Sequence, residues 1–82
     1  MIKAFTDTRS FEWKAYANDK HGAMNALRMA WREHKRQYSE CNWVEWMPES
    51  EFIEDISYME IPNATVSKRV AYRDREIIWE QK

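Results

Sequence analysis

The chain has 82 residues, with 13 Lys+Arg, 14 Asp+Glu, one Cys, one Gly and two Pro, enough for one small domain and not for two. A hydrophobic share of 44% beside 33% charged residues excludes a disordered tail. No apolar run approaches the roughly 20 residues of a membrane span, and Met1-Ile2-Lys3 is followed by no h-region, so neither a span nor a secretory signal is expected.

A domain of this size buries only roughly 60% of its unfolded surface, so its core must be dense in large side chains. Five Trp, four Tyr, three Phe and five Met supply them. Cys41 is alone, which argues against a disulfide framework and a Cys-based zinc site, so a reducing, cytoplasmic compartment is expected.

Ile2 to Phe5 is a short apolar run, closed by the turn-like tetrad Thr6-Asp7-Thr8-Arg9. Phe11, Trp13, Ala15 and Ala17 then alternate with Glu12, Lys14 and Tyr16, the period-two pattern of a half-buried strand. The two runs lie close enough to pair as a hairpin. Asn18-Asp19 breaks the alternation, and the Asp19 carboxylate suits the N-cap of a helix from about Lys20 to about Tyr38. Ala23, Leu27, Ala30, Trp31, His34 and Tyr38 give that helix one apolar face, while Arg28, Arg32, Lys35 and Arg36 fall on the other side. Gly22 in the first turn weakens it by up to about 1 kcal/mol relative to Ala.

Pro48 suits the first position of a short second helix, with Glu49 and Glu51 in its first turn and Phe52, Ile53 and Ile56 as its inward stripe. Ser57 to Ile61 reads as a strand stopped by the Pro62-Asn63 turn. Val66 to Tyr72 alternates as another strand, Arg73-Asp74-Arg75 interrupts it, and Glu76 to Trp79 resumes an extended run. The absence of Gly from that turn predicts a loop longer than two residues. The assembled expectation is a single two-layer α+β domain: an antiparallel sheet of four to five strands, one long helix across one face, and a short second helix.

Charge is unevenly spread. Residues 1–36 carry a net +4, residues 37–67 a net −7 without a single Lys or Arg, and residues 68–82 a net +2. Blocks of this kind create opposite potentials on different faces, or neutralise one another across the fold.

The stretch Trp13-Lys14-Ala15-Tyr16-Ala17-Asn18-Asp19, leading into a helix with Ala23, Ala26 and Ala30, resembles the strand-to-helix junction of small bacteriophage accessory proteins. Val70-Ala71-Tyr72-Arg73-Asp74-Arg75-Glu76-Ile77-Ile78-Trp79 resembles the closing hairpin that some of them carry. Small anti-CRISPR proteins share this strand–helix–strand–hairpin layout. The resemblance implies a non-enzymatic inhibitor that binds a protein component of a bacterial defence complex. The acidic, Trp-rich segment 40–56 and the missing hairpin Gly depart from the pattern, and no binding residue is carried over position by position.

The residues themselves point away from catalysis. His21 and His34 are 13 positions apart without Cys, Asp or Glu at metal-ligand spacing, and one Gly cannot build a phosphate loop. His34, on the apolar helical face, reads as a hydrogen-bonded core residue. No metal or cofactor is expected. Three binding readings stay open. In the first, Trp43, Glu45, Trp46, Glu49, Glu51, Glu54 and Asp55 form an acidic surface with indole anchors, helped by Phe52, that docks into the basic groove of a bacterial host or defence protein, such as one that binds nucleic acid. In the second, Arg28, Arg32, Lys35 and Arg36, with Arg69, Arg73 and Arg75 near the hairpin, follow a phosphate backbone directly. A net charge of −1 and a pI near 6.1 weigh against that reading. In the third, a homodimer or larger homo-oligomer forms through a strand edge or the Trp patch.

Overall fold

The alternation in the first 17 residues folds as expected: β1 (Ile2–Asp7) and β2 (Glu12–Ala17) form an antiparallel hairpin, with Ile2 opposite Ala17 and Asp7 opposite Glu12. These assignments come from a computed structural model, which describes residues 1–40 and 47–82. Cys41, Trp43, Glu45 and Trp46 lie outside the described residues. The first strand runs two residues beyond the expected end, because Thr6 and Asp7 continue the ladder opposite Trp13 and Glu12. The turn falls later, closed by the Thr8 N–H donating to the Phe11 carbonyl at 2.9 Å.

Helix α1 (Lys20–Gln37) starts where the cap was predicted. The Asp19 carboxylate accepts from the Gly22 N–H at 2.6 Å, satisfying one of the donors that the first turn leaves unpaired. Gly22 is buried in a tight junction: a Cβ there would come within 3.1 Å of Asp19 Oδ1 and 3.2 Å of both Ala17 Cβ and Arg69 Cδ. Its propensity penalty is the cost of bringing helix and sheet this close. The short helix α2 (Glu49–Glu54) follows, with Pro48 at the N-cap instead of the first helical position.

Three further strands complete the sheet: β3 (Ser57–Glu60), β4 (Val70–Arg73) and β5 (Glu76–Glu80). The spatial order is β3-β1-β2-β4-β5, with every neighbouring pair antiparallel. The fold is α+β, one five-stranded antiparallel sheet with the long helix on one face.

Two expectations about the C-terminal half are corrected. The strand expected from Val66 begins only at Val70. Asn18 is the cause, since its side-chain amide donates to the Val66 carbonyl at 3.0 Å and accepts from the Val66 N–H at 2.9 Å. This pairing ties residue 66 to the β2–α1 junction and off the ladder. The hairpin turn is also shorter than expected. Arg73 pairs with Glu76, which leaves only Asp74 and Arg75 between them. Asp74 supplies the left-handed backbone (φ 55°) that glycine usually provides, as a short polar side chain allows. The Asp74 N–H donates to the Glu12 carbonyl at 2.7 Å, and its carboxylate accepts from the Glu12 N–H at 2.9 Å. These bonds to β2 hold the turn.

The core lies between the sheet and α1. Ala4, Ala15, Ala17, Ala23, Ala26, Ala30 and Ala71 line the two facing surfaces and are fully buried, so helix and sheet approach closely. At the C-terminal end of the helix the space widens and rings fill it. Trp31 stacks on Phe52 at 4.5 Å, and Trp13 meets both edge-on at 5.6 and 5.3 Å, the offset and T-shaped geometries that aromatic quadrupoles favour. A β-bulge between Ala71 and Tyr72 bends β5 so that Ile78 is buried and Trp79 packs half-buried on the core, beneath the Arg69 guanidinium. No helix among the described residues is long and apolar enough to cross a membrane.

Candidate functional site

The basic stripe of α1 and the acidic start of α2 meet each other. Arg32 donates two hydrogen bonds to the Glu49 carboxylate, at 2.7 and 3.1 Å, and Arg28 approaches the same carboxylate at 3.7 Å. Arg36 pairs with Glu33 one turn back on its own helix. The hydrogen bond from Arg32, reinforced by the charges of Arg32, Arg28 and Lys35, holds the Glu49 carboxyl below the usual carboxylate range. The same bond raises the Arg32 guanidinium. Glu49 therefore does not belong to an uncompensated acidic surface, and Arg28, Arg32 and Arg36 do not form an open phosphate track. Chain neutralisation across the fold accounts for this part of the charge asymmetry.

Two further side chains assigned to binding are interior. Phe52 is fully buried against Trp31 and cannot anchor a partner. Arg73, expected to add surface charge beside the hairpin, is 5% exposed. Its guanidinium donates to His34 Nδ1 at 2.8 Å, to Gln37 Oε1 at 3.0 Å and to Glu76 at 3.3 Å, and lies between the rings of Phe11 and Tyr38. A guanidinium has only donors, so His34 Nδ1 accepts here. This arrangement clamps the end of α1 to β4, and His34 is the hydrogen-bonded core histidine that its place on the helix predicted. His21 is exposed and contacts Asn25 on the same helix. Among the described residues no group of three or more His, Cys, Asp or Glu is arranged to hold a metal ion.

Glu51, Glu54 and Asp55 remain exposed on and just after α2, and none of them forms an ion pair among the described residues. They keep the acidic character expected of that segment.

The surface that the sequence did not single out is the far side of the sheet. Residues directly opposite on neighbouring strands point to the same face, so the register defines two rungs. One runs Met59–Lys3–Tyr16–Val70–Glu80, with Glu80 paired to Lys68 at 3.3 Å, and the next runs Ser57–Phe5–Lys14–Tyr72–Ile77. No described helix covers these rungs, because α1 packs on the side of Trp13, Ala15, Ala17 and Ala71. Met59 is 50% and Ile77 51% exposed, while Lys3, Phe5, Lys14, Tyr16 and Tyr72 are half-buried by one another.

Two ammonium groups sit among the rings. Lys3 Nζ lies 5.4 Å from the centre of Phe5 and Lys14 Nζ 5.5 Å from that of Tyr72. Among the described residues neither ammonium is within ion-pair distance of a carboxylate. Tyr16 and Tyr72 stand edge to face at 6.2 Å. Asp7 and Glu12 form the next rung toward the hairpin end, and together with Lys3, Phe5, Lys14 and Asp74 they line a shallow hollow of about 220 Å³. The signal was present in the sequence. Lys3-Phe5, Lys14-Tyr16 and Tyr72 are the outward half of each alternation, and they carry rings where a merely solvated face would carry small polar groups.

No protein family, curated protein or solved structure matches this chain.

Proposed function

We propose that this chain is a non-enzymatic binding domain that docks a macromolecular partner on the uncovered face of its sheet. One observation carries the reading: that face gathers three aromatic rings and two ammonium groups, without a carboxylate partner among the described residues, into adjacent rungs, flanked by half-exposed Met59 and Ile77. Apolar surface rimmed by polar groups marks interaction sites, and rings that are rigid and already ordered give contact area at little entropic cost. Retention of a partner from bacterial lysate tests it, whether that partner is a protein or a nucleic acid. The Phe5→Ser/Tyr72→Ser variant loses what the native chain retains, provided its melting temperature shows that it folds. Undiminished retention by that folded variant contradicts the reading.

A second reading rests on the exposed carboxylates of Glu51, Glu54 and Asp55, which form no ion pair among the described residues. They would steer the chain toward the basic groove of a bacterial host or defence protein, in the manner of the anti-defence inhibitors it resembles, with attraction acting mainly on the association rate. Under this reading the Glu51→Lys/Glu54→Lys/Asp55→Lys variant, and not the sheet-face variant, loses the partner and its salt sensitivity.

A further inference from the structure

From the make-up of the open face we infer its occupant: single-stranded DNA, its bases stacked on Phe5, Tyr16 and Tyr72 and its phosphates met by Lys3 and Lys14. This rests on the reading of the sheet face as the docking surface and names the ligand class.

The chemistry of the rungs selects this ligand. In cross-strand register Lys3 lies opposite Tyr16, and Lys14 lies between Phe5 and Tyr72, so each cation is flanked by rings. A strand of nucleic acid presents the same alternation, an apolar base face and then an anion. Base stacking on aromatic side chains combined with cations that follow the backbone is how proteins hold single strands without reading their sequence. A duplex buries its base faces and cannot use the rings. The two lysines differ from the helix arginines in the property that matters, since among the described residues their ammonium groups meet rings and not carboxylates, so a phosphate displaces no described carboxylate from them. The acidic rung of Asp7 and Glu12 closes one end of the platform and Glu80, neutralised by Lys68, ends the first rung on β5, so a polyanion is confined to the stretch around Lys3 and Lys14. Apart from the tyrosine hydroxyls, Ser57 at the margin is the one hydroxyl or amide side chain in those rungs. Discrimination in favour of RNA depends on hydrogen bonds to the 2′-OH, and the platform offers little to make them. The platform thus gains nothing from the ribose hydroxyl, and single-stranded DNA, which needs no such contact, is the occupant it fits.

The test is fluorescence anisotropy of labelled oligo-dT of about 15 nucleotides, a length sufficient for one small single-strand site, titrated with the full chain at low salt. The native chain is expected to bind. Tyr16→Ala and Tyr72→Ala each weaken binding about 5- to 160-fold, the range measured for loss of a stacking ring. The logarithm of the affinity falls against the logarithm of salt with a slope of about −1.4, from about −0.7 for each of two phosphates on a single strand. Lys3→Gln/Lys14→Gln flattens that slope, and Arg28→Gln/Arg32→Gln leaves it unchanged.

Absence of binding at low salt by a folded native chain overturns single-stranded DNA as the occupant, and the lysate comparison of Phe5→Ser/Tyr72→Ser then decides the sheet face separately. Binding lost in the arginine variant and kept in the tyrosine variants overturns both at once. Binding to oligo-U as tight as or tighter than to oligo-dT overturns the choice of DNA, and equal binding to a duplex overturns the choice of a single strand.

Discussion

The two faces of the sheet draw on the same strands and use aromatic residues to opposite ends. On β2, Trp13 is 1% exposed and locked between Trp31, Phe52 and His34, with its indole N–H donating to Thr8 Oγ1 at 2.9 Å. Three positions on, Tyr16 faces the other way, beside Tyr72 and Lys3, beneath no described helix. The first ring is held on every side and supplies stability. The second is held only by its neighbours on the sheet, and its remaining surface is available to a partner. The same contrast separates the cations. Arg32 and Arg36 on α1 are spent on Glu49 and Glu33, whereas Lys3 and Lys14 meet rings and, among the described residues, no carboxylate.

The largest effect should come from the covered face. Trp13→Ala or Trp31→Ala removes a fully buried ring and should cost about 3–5 kcal/mol, read as a lower denaturant midpoint; for a domain this small, that is a large part of its stability. Tyr16→Ala should cost less than half as much as Trp13→Ala in the same measurement. Equal losses would mean that the open face is a second structural layer and not a docking surface.

The N-cap comes next. Asp19→Ala should cost about 1 kcal/mol. Gly22→Ala, which by propensity alone should gain about 1 kcal/mol, should fail to raise the melting temperature because its new methyl group meets Ala17 and Arg69. A clear gain would show that the β2–α1 junction is looser than described.

The smallest effect concerns the ion pair on the helix. Glu49 titrates below its unfolded value, so its contribution is present above the ordinary carboxylate range and is lost as pH falls through the lowered folded value. Glu49→Gln should therefore make stability slightly less sensitive to acid while leaving the neutral-pH melting temperature nearly unchanged, as expected of an exposed pair. A large loss at neutral pH would give the α1–α2 contact a structural weight that the geometry does not assign to it.

The layout was legible in the sequence wherever local rules agreed with the tertiary fold. Period-two alternation marked the first hairpin, Asp19 and the apolar stripe marked α1, and Pro48 marked the start of α2. The misreadings arose where a residue acted through something distant in sequence. Asn18 holds Val66 off the ladder, Asp74 takes the left-handed turn through its bonds to Glu12, and His34 draws Arg73 into the interior. Of the candidate sites, charge asymmetry along the chain pointed to both α1 and α2. It did not reveal that Glu49 would be the counterion of Arg28 and Arg32, because the sequence gives the sign of each block and not which blocks touch. Trp43, Glu45 and Trp46 lie outside the described residues. Alternation marks the inward residues of each strand, while the outward ones, Lys3, Phe5, Lys14, Tyr16 and Tyr72, become a surface only when strand register places them side by side.

Backbone and aromatic side-chain NMR shifts of the full chain, followed as the ligand it retains is added, test that surface most directly. The largest changes are predicted at Lys3, Phe5, Lys14, Tyr16 and Tyr72. Changes confined to Arg28–Arg36 on α1 or to Glu51–Asp55 at α2, with the sheet rungs unmoved, would contradict the account.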